Sequence, residues 1–537
     1  MSDEIDFSED LLIGLTPEQR EAVTSDARRL LVRATAGSGK THVLTLRIQR
    51  RIARDEVAAD QVLAMTFTRK AGEELRRRLF RSGIRDVRAG TFHRAAMNIV
   101  NEYRQDHHLK PLTIEANRRR VVALLARQLR EEGEVTLEDW QLPRLEQEIG
   151  WSLSQGFNGA NYARAAKKAR RDAPLAPAVF ADVLDRYVGL CRSRGVLDFD
   201  LLLSEAITLL RDEPDVRGAF RHRTRALFVD ETQDMNPLQF MLLAQMAGDD
   251  PDLFCVGDPN QSIYGFNGAN PQLLGEIVRT WPDTVVLDLT RNHRSTAHII
   301  AVANTLLEPG ARGIVPAHDD GDMPLVRGYG DDAEEARHVA TWLSAHHQPG
   351  SPWRSMAVLA RTNAQLDVVA EALEAAGIPV ERRGPEHSPA SDLVVAEPWS
   401  RRMEHESTDA VALTTIHRSK GLEFQHVVSV GWAEGQLPHY NATSAEELAE
   451  EQRLAYVALS RAEQTLLITW SKGRNDPRFP DRVASRFLAP IEKVLAEIAR
   501  RNAPVTGEQR RRRLEAIRRE LEAATPVAPS TPDVLGR

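Results

Sequence analysis

The sequence predicts an α/β protein with two parallel-sheet domains and a helical insertion in the first. Three observations carry this. An apolar strand breaks into a glycine loop over 30–41, LLVRATAGSGKT. Apolar strands alternate with helical stretches again from about Pro324 to Trp470. Between the two, from about Asn117 to Phe199, strand character gives way to amphipathic helical spacing with scattered Trp140, Trp151 and Tyr162. The chain has 537 residues, and a prior of about 150 residues per domain gives three or four units.

Composition narrows the class. A formal net charge of −7 carries no global basic signal, so any nucleic-acid contact must come from a local groove. The two cysteines, Cys191 and Cys255, lie far apart beside apolar residues, which suits reduced thiols in a cytosolic protein better than a disulfide scaffold. The start, MSDEIDFSEDLLIGL, is acidic and lacks a secretory pattern, and no run of about 18 apolar residues occurs. The expectation is a soluble cytoplasmic protein that does not span a membrane.

Taken in order, LTPEQREAV from Leu15 opens a helix, with a Thr cap, Pro at the first helical position and Glu18 in the first turn. Gln19 lies in it, and its amide can donate to and accept from an adenine edge. The following loop, Ala34, Thr35, Ala36, Gly37, Ser38, Gly39, Lys40 and Thr41, points backbone N–H groups into one concavity. Lys40 and Thr41 are placed to meet a phosphate chain and its Mg²⁺. The stretch reads as a nucleoside triphosphate cradle, although the strict pattern has Gly where this chain has Ala34.

A strand from Gln61 to Phe67 runs through Thr68, Arg69 and Lys70 into a helix, and GTFHR over 90–94 is built similarly. Hydroxyls, cations and aromatics at strand C-terminal ends suit an extended polynucleotide; each fragment alone is also a plain strand end. The run RAAKKARR over 164–171 reads as a solvated helix face or as a phosphate contact. The strand entering DETQD brings Asp230 to hold Mg²⁺ through water and Glu231 to polarise an attacking water. A strand over 252–256 ends in GDPNQSIYGFNGAN, where Gln261 is placed to sense a γ-phosphate, and Tyr264 and Phe266 either stack bases or belong to the core.

TRNHRS, ending at Ser295, is followed by a strand spanning SMAVLARTNAQ (355–365), a strand spanning VALTTIHRSKGLEF (411–424), and a helix then a strand in EEQRLAYVALSRAEQTLLITW (450–470). Arg294 and Arg461 are either surface charges or forked cations offered to a nucleotide held by the other domain. Residues 381–408 are rich in Pro, Ser and charge and read as a connector. Beyond Arg500, RRRRLEAIRREL is a basic arm for DNA or a partner, or a solvated helix fading into a disordered TPVAPSTPD. No internal repeat, zinc-ligand spacing or nuclease-like carboxylate and lysine set stands out.

In this order Gln19, AGSGKT, TFTRKA, GTFH, DETQD, GDPNQSIY, NHRS, ARTNAQ, TTIHRSKGLEF and YVALSRA resemble the superfamily 1A DNA helicases of the UvrD/Rep type, over about Leu15 to Trp470. The resemblance implies two RecA-like domains. Domain 1A would cover 1–110 and 200–290, a helical insertion 1B would cover 111–199, and domain 2A would cover 291–490. Residues 381–408 would be a vestigial 2B connector, and 491–537 a basic helical and partly disordered tail. It also implies ATP and Mg²⁺ as cofactors. By motif position, Lys40 would bind the β- and γ-phosphates, Thr41 and Asp230 would hold Mg²⁺, and Glu231 would be the catalytic base. Gln19 would recognise adenine, His293 would lie beside it, and Glu423 would hold the ribose region. Gln261 would couple γ-phosphate to DNA, and Arg294 and Arg461 would be arginine sensors. Thr66, Phe67, Thr91, His93, Tyr264, Phe266, Asn363, Thr415 and His417 would line the DNA side.

The activity implied is DNA-stimulated ATP hydrolysis that drives 3′ to 5′ translocation and unwinding, in repair, recombination or replication restart. Single-stranded DNA and single-strand/duplex junctions would be the partners, with a repair or replication protein as a further one and a monomer favoured. Three departures stand out. His293 replaces the family's Tyr, Phe266 and Asn267 replace Trp and Arg, and only about 45 residues separate ARTNAQ from TTIHRSKGLEF where relatives insert the long 2B subdomain. Without 2B, a single-strand translocase that displaces bound proteins with little strand separation is the alternative. A scaffold without turnover is opposed by intact Lys40, Asp230, Glu231, Arg294 and Arg461.

Overall fold

The computed structural model describes residues 9–133, 137–265, 268–308, 310–382, 409–473 and 481–502, together with positions 511 and 515. Its first sheet starts with β1 (Arg29–Ala34), β2 (Val62–Thr66) and β3 (Arg88–Thr91). A two-residue pair, β4 (Thr113–Ile114) and β5 (Val196–Leu197), closes the helical insertion at its root. The sheet resumes with β6 (Ala226–Val229), β7 (Asp252–Gly257) and β8 (Val285–Leu289). All six of its strands are parallel, in the order β3-β2-β6-β7-β1-β8.

The alternation of a strand explains why both faces are covered. Leu31, Met65, Leu227 and Leu253 face one core with the helices Phe199–Asp212 and Pro237–Ala247. Their neighbours Leu30, Ala64, Phe228 and Phe254 face the other, with Leu44 and Leu75 of the helices Lys40–Ala53 and Arg69–Arg81. A parallel sheet buried on both sides needs such continuous apolar strands.

The insertion's helices, Arg118–Glu131, Leu142–Ser154, Gly159–Lys168 and Pro177–Ser193, enclose a core of their own. Arg118 ties its base to Asp198 at 2.9 Å and Asp200 at 2.5 Å. The cations of the basic run 164–171, Arg164, Lys167, Lys168, Arg170 and Arg171, are all exposed at the surface, but Arg171 is tied down. It pairs with buried Glu148 at 2.6 Å, alongside the Tyr162 hydroxyl at 2.8 Å.

After a short pair, β9 (Arg291–Asn292) and β10 (Val315–Pro316), come β11 (Leu325–Tyr329), β12 (Met356–Ala360), β13 (Val380–Arg382), β14 (Val411–Thr415), β15 (Phe424–Ser429) and β16 (Ala462–Ser471). These last six form a second parallel sheet in the order β11-β16-β15-β12-β14-β13. Three expectations change here. The strand over 355–365 stops at Ala360, because Thr362 caps a helix that opens at Asn363. The single strand over 411–424 is two strands, because a 3-10 turn His417–Ser419 and Gly421, at φ 81°, end the extension. Glu381 and Arg382 are not connector: they lie in β13, paired with Ala412 and Leu413. The rest of the expected connector, 383–408, lies outside the described residues, as does the tail from 503 apart from positions 511 and 515. The helix Leu488–Asn502 straddles the expected start of that tail and buries Leu488 and Ile491 in the second core. Both cysteines are buried free thiols, and among the described residues no helix is long and apolar enough to cross a membrane.

Candidate nucleotide and nucleic-acid site

The loop after β1 is shaped by its glycines. Gly37 and Gly39 sit at φ 68° and 82°, where a side chain is strained. A Cβ on Gly37 would lie 2.4 Å from Asn292 Nδ2, and one on Gly39 would lie 2.9 Å from Gln19 Nε2. The same neighbours hold the loop: Asn292 Nδ2 donates to Ala36 O at 2.7 Å, and Gln19 Nε2 donates to Ser38 O at 2.9 Å. Thr35 N–H donates to Leu289 O at 3.0 Å, and Ala34 is the buried last residue of β1. A left-handed, glycine-lined turn that opens the helix Lys40–Ala53 fits a triphosphate.

Strand β6 delivers the two acids. Thr41 Oγ1 donates to Asp230 Oδ2 at 3.4 Å, and this hydroxyl and carboxylate are the hard oxygen donors that Mg²⁺ takes along with water and phosphate. Glu231 turns the chain at φ 51°, and its Oε2 accepts from Gln233 Nε2 at 2.5 Å. Burial and the adjacent Glu231 charge push Asp230 up. Burial also acts to raise Glu231, but the nearby Lys40 and Lys420 charges outweigh it and hold that carboxyl well below its usual range. Between the two acids, Glu231 is the one kept ionised.

The second lobe closes on this cradle. Arg461 is 2% exposed, and its Nη2 donates to Gln261 Oε1 at 3.3 Å while Nη1 donates to Leu422 O at 3.2 Å. Burial lowers Arg461 to about 9, with Arg294 adding to the effect, so it stays charged at neutral pH. Arg294 pairs with Glu423 at 2.6 Å and donates to Ser460 O at 3.1 Å. His293 is tied to the loop through its backbone N–H, which donates to Gly37 O at 2.8 Å; burial lowers its ring's pKa, with Arg291 adding to the effect. The structure therefore brings Lys40, Thr41, Asp230, Glu231, Gln261, Arg461, Arg294 and Glu423 to one seam.

The described polynucleotide candidates fall at or beyond strand C-terminal ends: Thr66 closes β2 and Phe67 follows it, Thr91 closes β3 with His93 beyond, Tyr264 lies beyond β7, Asn363 after β12, and Thr415 closes β14 with His417 beyond. Phe67 and Tyr264 stack with centroids 5.1 Å apart, and the Tyr264 hydroxyl donates to His417 O at 3.2 Å across the lobes. Thr91 Oγ1 caps its own helix by accepting from Arg94 N–H at 3.2 Å, and Thr66 Oγ1 donates to Thr68 O at 2.9 Å. Asn363 is exposed, whereas Thr415 is 8% exposed. Phe266, with Asn267, lies outside the described residues.

Two side chains that join the lobes carry no role in the sequence analysis. Lys420 Nζ donates to Asp234 Oδ1 and Oδ2 at 2.7 and 2.5 Å and to Gln261 O at 2.6 Å. Tyr456 Oη accepts from Ala36 N–H at 3.3 Å. Both lie inside the motifs HRSKGLEF and YVALSRA, but their targets are 159 to 420 positions away and no local signal announces them.

Comparison with known proteins agrees with this geometry. Residues 15–281 match the family model of the UvrD/REP helicase N-terminal domain, and residues 287–386 and 396–473 match that of the UvrD-like helicase C-terminal domain. The chain is 32% identical to ATP-dependent DNA helicase UvrD2 of Mycobacterium tuberculosis, over 95% of this chain and 85% of that protein. It is 34% identical to ATP-dependent DNA helicase UvrD1 of the same organism, over 69% of this chain and 50% of that one. A probable DNA helicase of Mycoplasma pneumoniae is 28% identical over 89% of this chain and 87% of its own length.

Proposed function

The chain belongs to the UvrD/REP helicase family, and on that premise we propose that it is an ATP-dependent DNA helicase. It binds ATP in the seam and moves 3′ to 5′ on single-stranded DNA laid across both lobes. The observation that carries this is the seam itself, in which a phosphate loop and two acids from one sheet face Arg461 and Arg294 from the other. In this reading Lys40 neutralises the β- and γ-phosphates, Gln19 and His293 lie at the base, and Glu423 lies at the ribose. Thr41 and Asp230 would hold Mg²⁺, which supplies charge neutralisation at the phosphates. Glu231 accepts from the attacking water, and Arg461 and Arg294 offset charge on the departing phosphoryl group. Phe67, Tyr264, His93, Asn363 and His417, with Thr66, Thr91 and Thr415 at the strand ends, form the DNA platform.

Steady-state ATPase with and without single-stranded DNA, followed by unwinding of duplexes with 3′ or 5′ tails, tests this. Hydrolysis should rise with DNA, only 3′-tailed duplexes should open, and Glu231→Gln should lower kcat by about 100-fold or more, as loss of a general base does. Equal hydrolysis with and without DNA overturns the motor, and opening of 5′-tailed duplexes overturns the polarity. Single-strand/duplex junctions in repair, recombination or replication restart are the proposed setting, with a monomer as the working unit.

A second reading is favoured by the short stretch between ARTNAQ and TTIHRSKGLEF, where the family match itself breaks between 386 and 396. A chain lacking most of 2B would track single strands and displace bound proteins with little unwinding. Protein displacement without fork opening selects this reading.

A further inference from the structure

The helix Ala445–Leu459 belongs to the second lobe, yet one side of it follows a loop of the first. Glu450, Arg453 and Tyr456 recur every three residues, a spacing that keeps them neighbours along one side over about 9 Å of helix. Glu450 Oε1 accepts from Gly265 N–H at 3.0 Å. Arg453 Nε donates to Ser262 O at 2.8 Å. Tyr456 Oη donates to Asp258 Oδ2 at 3.4 Å while accepting from Ala36 N–H of the phosphate loop at 3.3 Å. The rungs run antiparallel, 450 to 265, 453 to 262 and 456 to 258.

Both ends of this ladder reach sites already described. At the Tyr456 end, Asp258 Oδ2 also accepts from Gln261 Nε2 at 2.7 Å, and Gln261 Oε1 accepts from Arg461. At the Glu450 end, Gly265 follows Tyr264, whose ring stacks on Phe67. Packing makes the loop part of the second lobe: Ile263 and Ala36, both from the first lobe, lie in the same apolar core as Leu454, Tyr456 and Val457. A Cβ at Gly265 would lie 2.1 Å from Glu450 Oε2, so a side chain there would displace the Glu450 carboxylate from this rung.

We propose that this helix is a coupling rod: Tyr456 positions the phosphate loop and Asp258 together, and Arg453 and Glu450 transmit that position along 258–265 to the Phe67–Tyr264 platform. Tyr456 is a positioning residue rather than a catalytic one. The inference rests on the motor reading above and adds the path by which nucleotide state reaches the DNA face.

The test uses the full chain and three variants: Tyr456→Phe, which keeps the ring in the core, Arg453→Ala and Glu450→Ala. Thermal melting establishes that each is folded. ATPase is measured without DNA and with saturating oligothymidine, and oligothymidine Kd is measured with ADP and with a non-hydrolysable ATP analogue. Arg453→Ala and Glu450→Ala should keep the DNA-free rate within about twofold while DNA stimulation drops roughly fivefold or more, the lower range of site-to-site coupling. The ratio of the two Kd values should move toward one, and Glu450→Gln, which retains an acceptor oxygen, should restore it. Tyr456→Phe should lower DNA-stimulated kcat with little change in KM for ATP. Wild-type stimulation in folded Arg453→Ala and Glu450→Ala overturns the rod, as does a parallel fall of the basal and stimulated rates. If Tyr456→Phe does not fold, the other two variants decide. Absence of stimulation in the wild type instead overturns the motor reading and the rod with it.

Discussion

Gln19 commits half of its amide to the fold: Oε1 accepts from Thr16 N–H at 3.0 Å and Nε2 donates to Ser38 O at 2.9 Å. One N–H and one lone pair remain, which is what an adenine edge asks for. Gln19→Ala removes the reciprocal partner of the Thr16 cap, for a loss of about 1 kcal/mol, and removes the base contact as well. We expect a lower melting temperature together with a higher KM for ATP and a weaker preference for ATP over GTP. A drop in melting temperature with unchanged nucleotide preference would reduce Gln19 to a helix cap. His93 makes a pH argument at the same scale. Its ring packs edge-on against Phe199, and burial lowers it to about 4 against a partial opposing pull from Asp198. Unfolded chains therefore hold one more proton than folded ones between about pH 6.5 and 4, so stability present above pH 6.5 drains as pH falls through that window. Because water still reaches part of the ring, we put the loss at about 1–2 kcal/mol. Urea midpoints at pH 5 and 7.5 should lie closer together in His93→Phe; an unchanged gap assigns the acid sensitivity elsewhere.

Elements built from neighbouring residues were legible in the sequence, and contacts between distant elements were not. The β1 loop and the acids after β6 announce themselves because a strand, a glycine turn and a helix start are consecutive. Thr91, on the DNA side by motif position, also caps the helix Phe92–Asp106 with its hydroxyl, a use that TFHR allows equally. The division of 411–424 into β14 and β15 was hidden because an apolar run signals extension without showing where it turns. Least legible is the pairing of Lys420 with Asp234, 186 positions apart. The side chains are 7% and 1% exposed, so Lys420→Met strands a buried carboxylate, at a cost of about 3 kcal/mol. Pairing it with Asp234→Leu removes the stranded charge and should recover more than half of the loss in chemical denaturation. If the double variant is no more stable than Lys420→Met, the pair is not what holds these elements together.

Across the whole molecule the two sheets offer their nucleotide-site candidates from different ends. In the first lobe the phosphate loop and both acids follow the C-terminal ends of β1 and β6, whereas Glu423 and Arg461 immediately precede β15 and β16 in the second. The described DNA candidates of both lobes, by contrast, sit at or beyond C-terminal ends. ATP would thus span a seam while a strand lies across both platforms, so closing the seam displaces one platform relative to the other. No strand pattern shows this, because it depends on how two separately buried sheets are set together. Each lobe also has cores of its own, so without nucleotide they should melt as two units, and a ligand touching both should merge them. At about 100 times its Kd, a non-hydrolysable ATP analogue with Mg²⁺ should add about 2.7 kcal/mol to whatever it binds. Calorimetry should then show both transitions rising and converging in the wild type. In Arg294→Ala the ligand-induced shift of the second-lobe transition should shrink while the first-lobe shift persists, and taking the difference with and without ligand removes the stability lost from the Glu423 pair. Equal shifts of both transitions in that variant would mean the second lobe does not touch the nucleotide through Arg294.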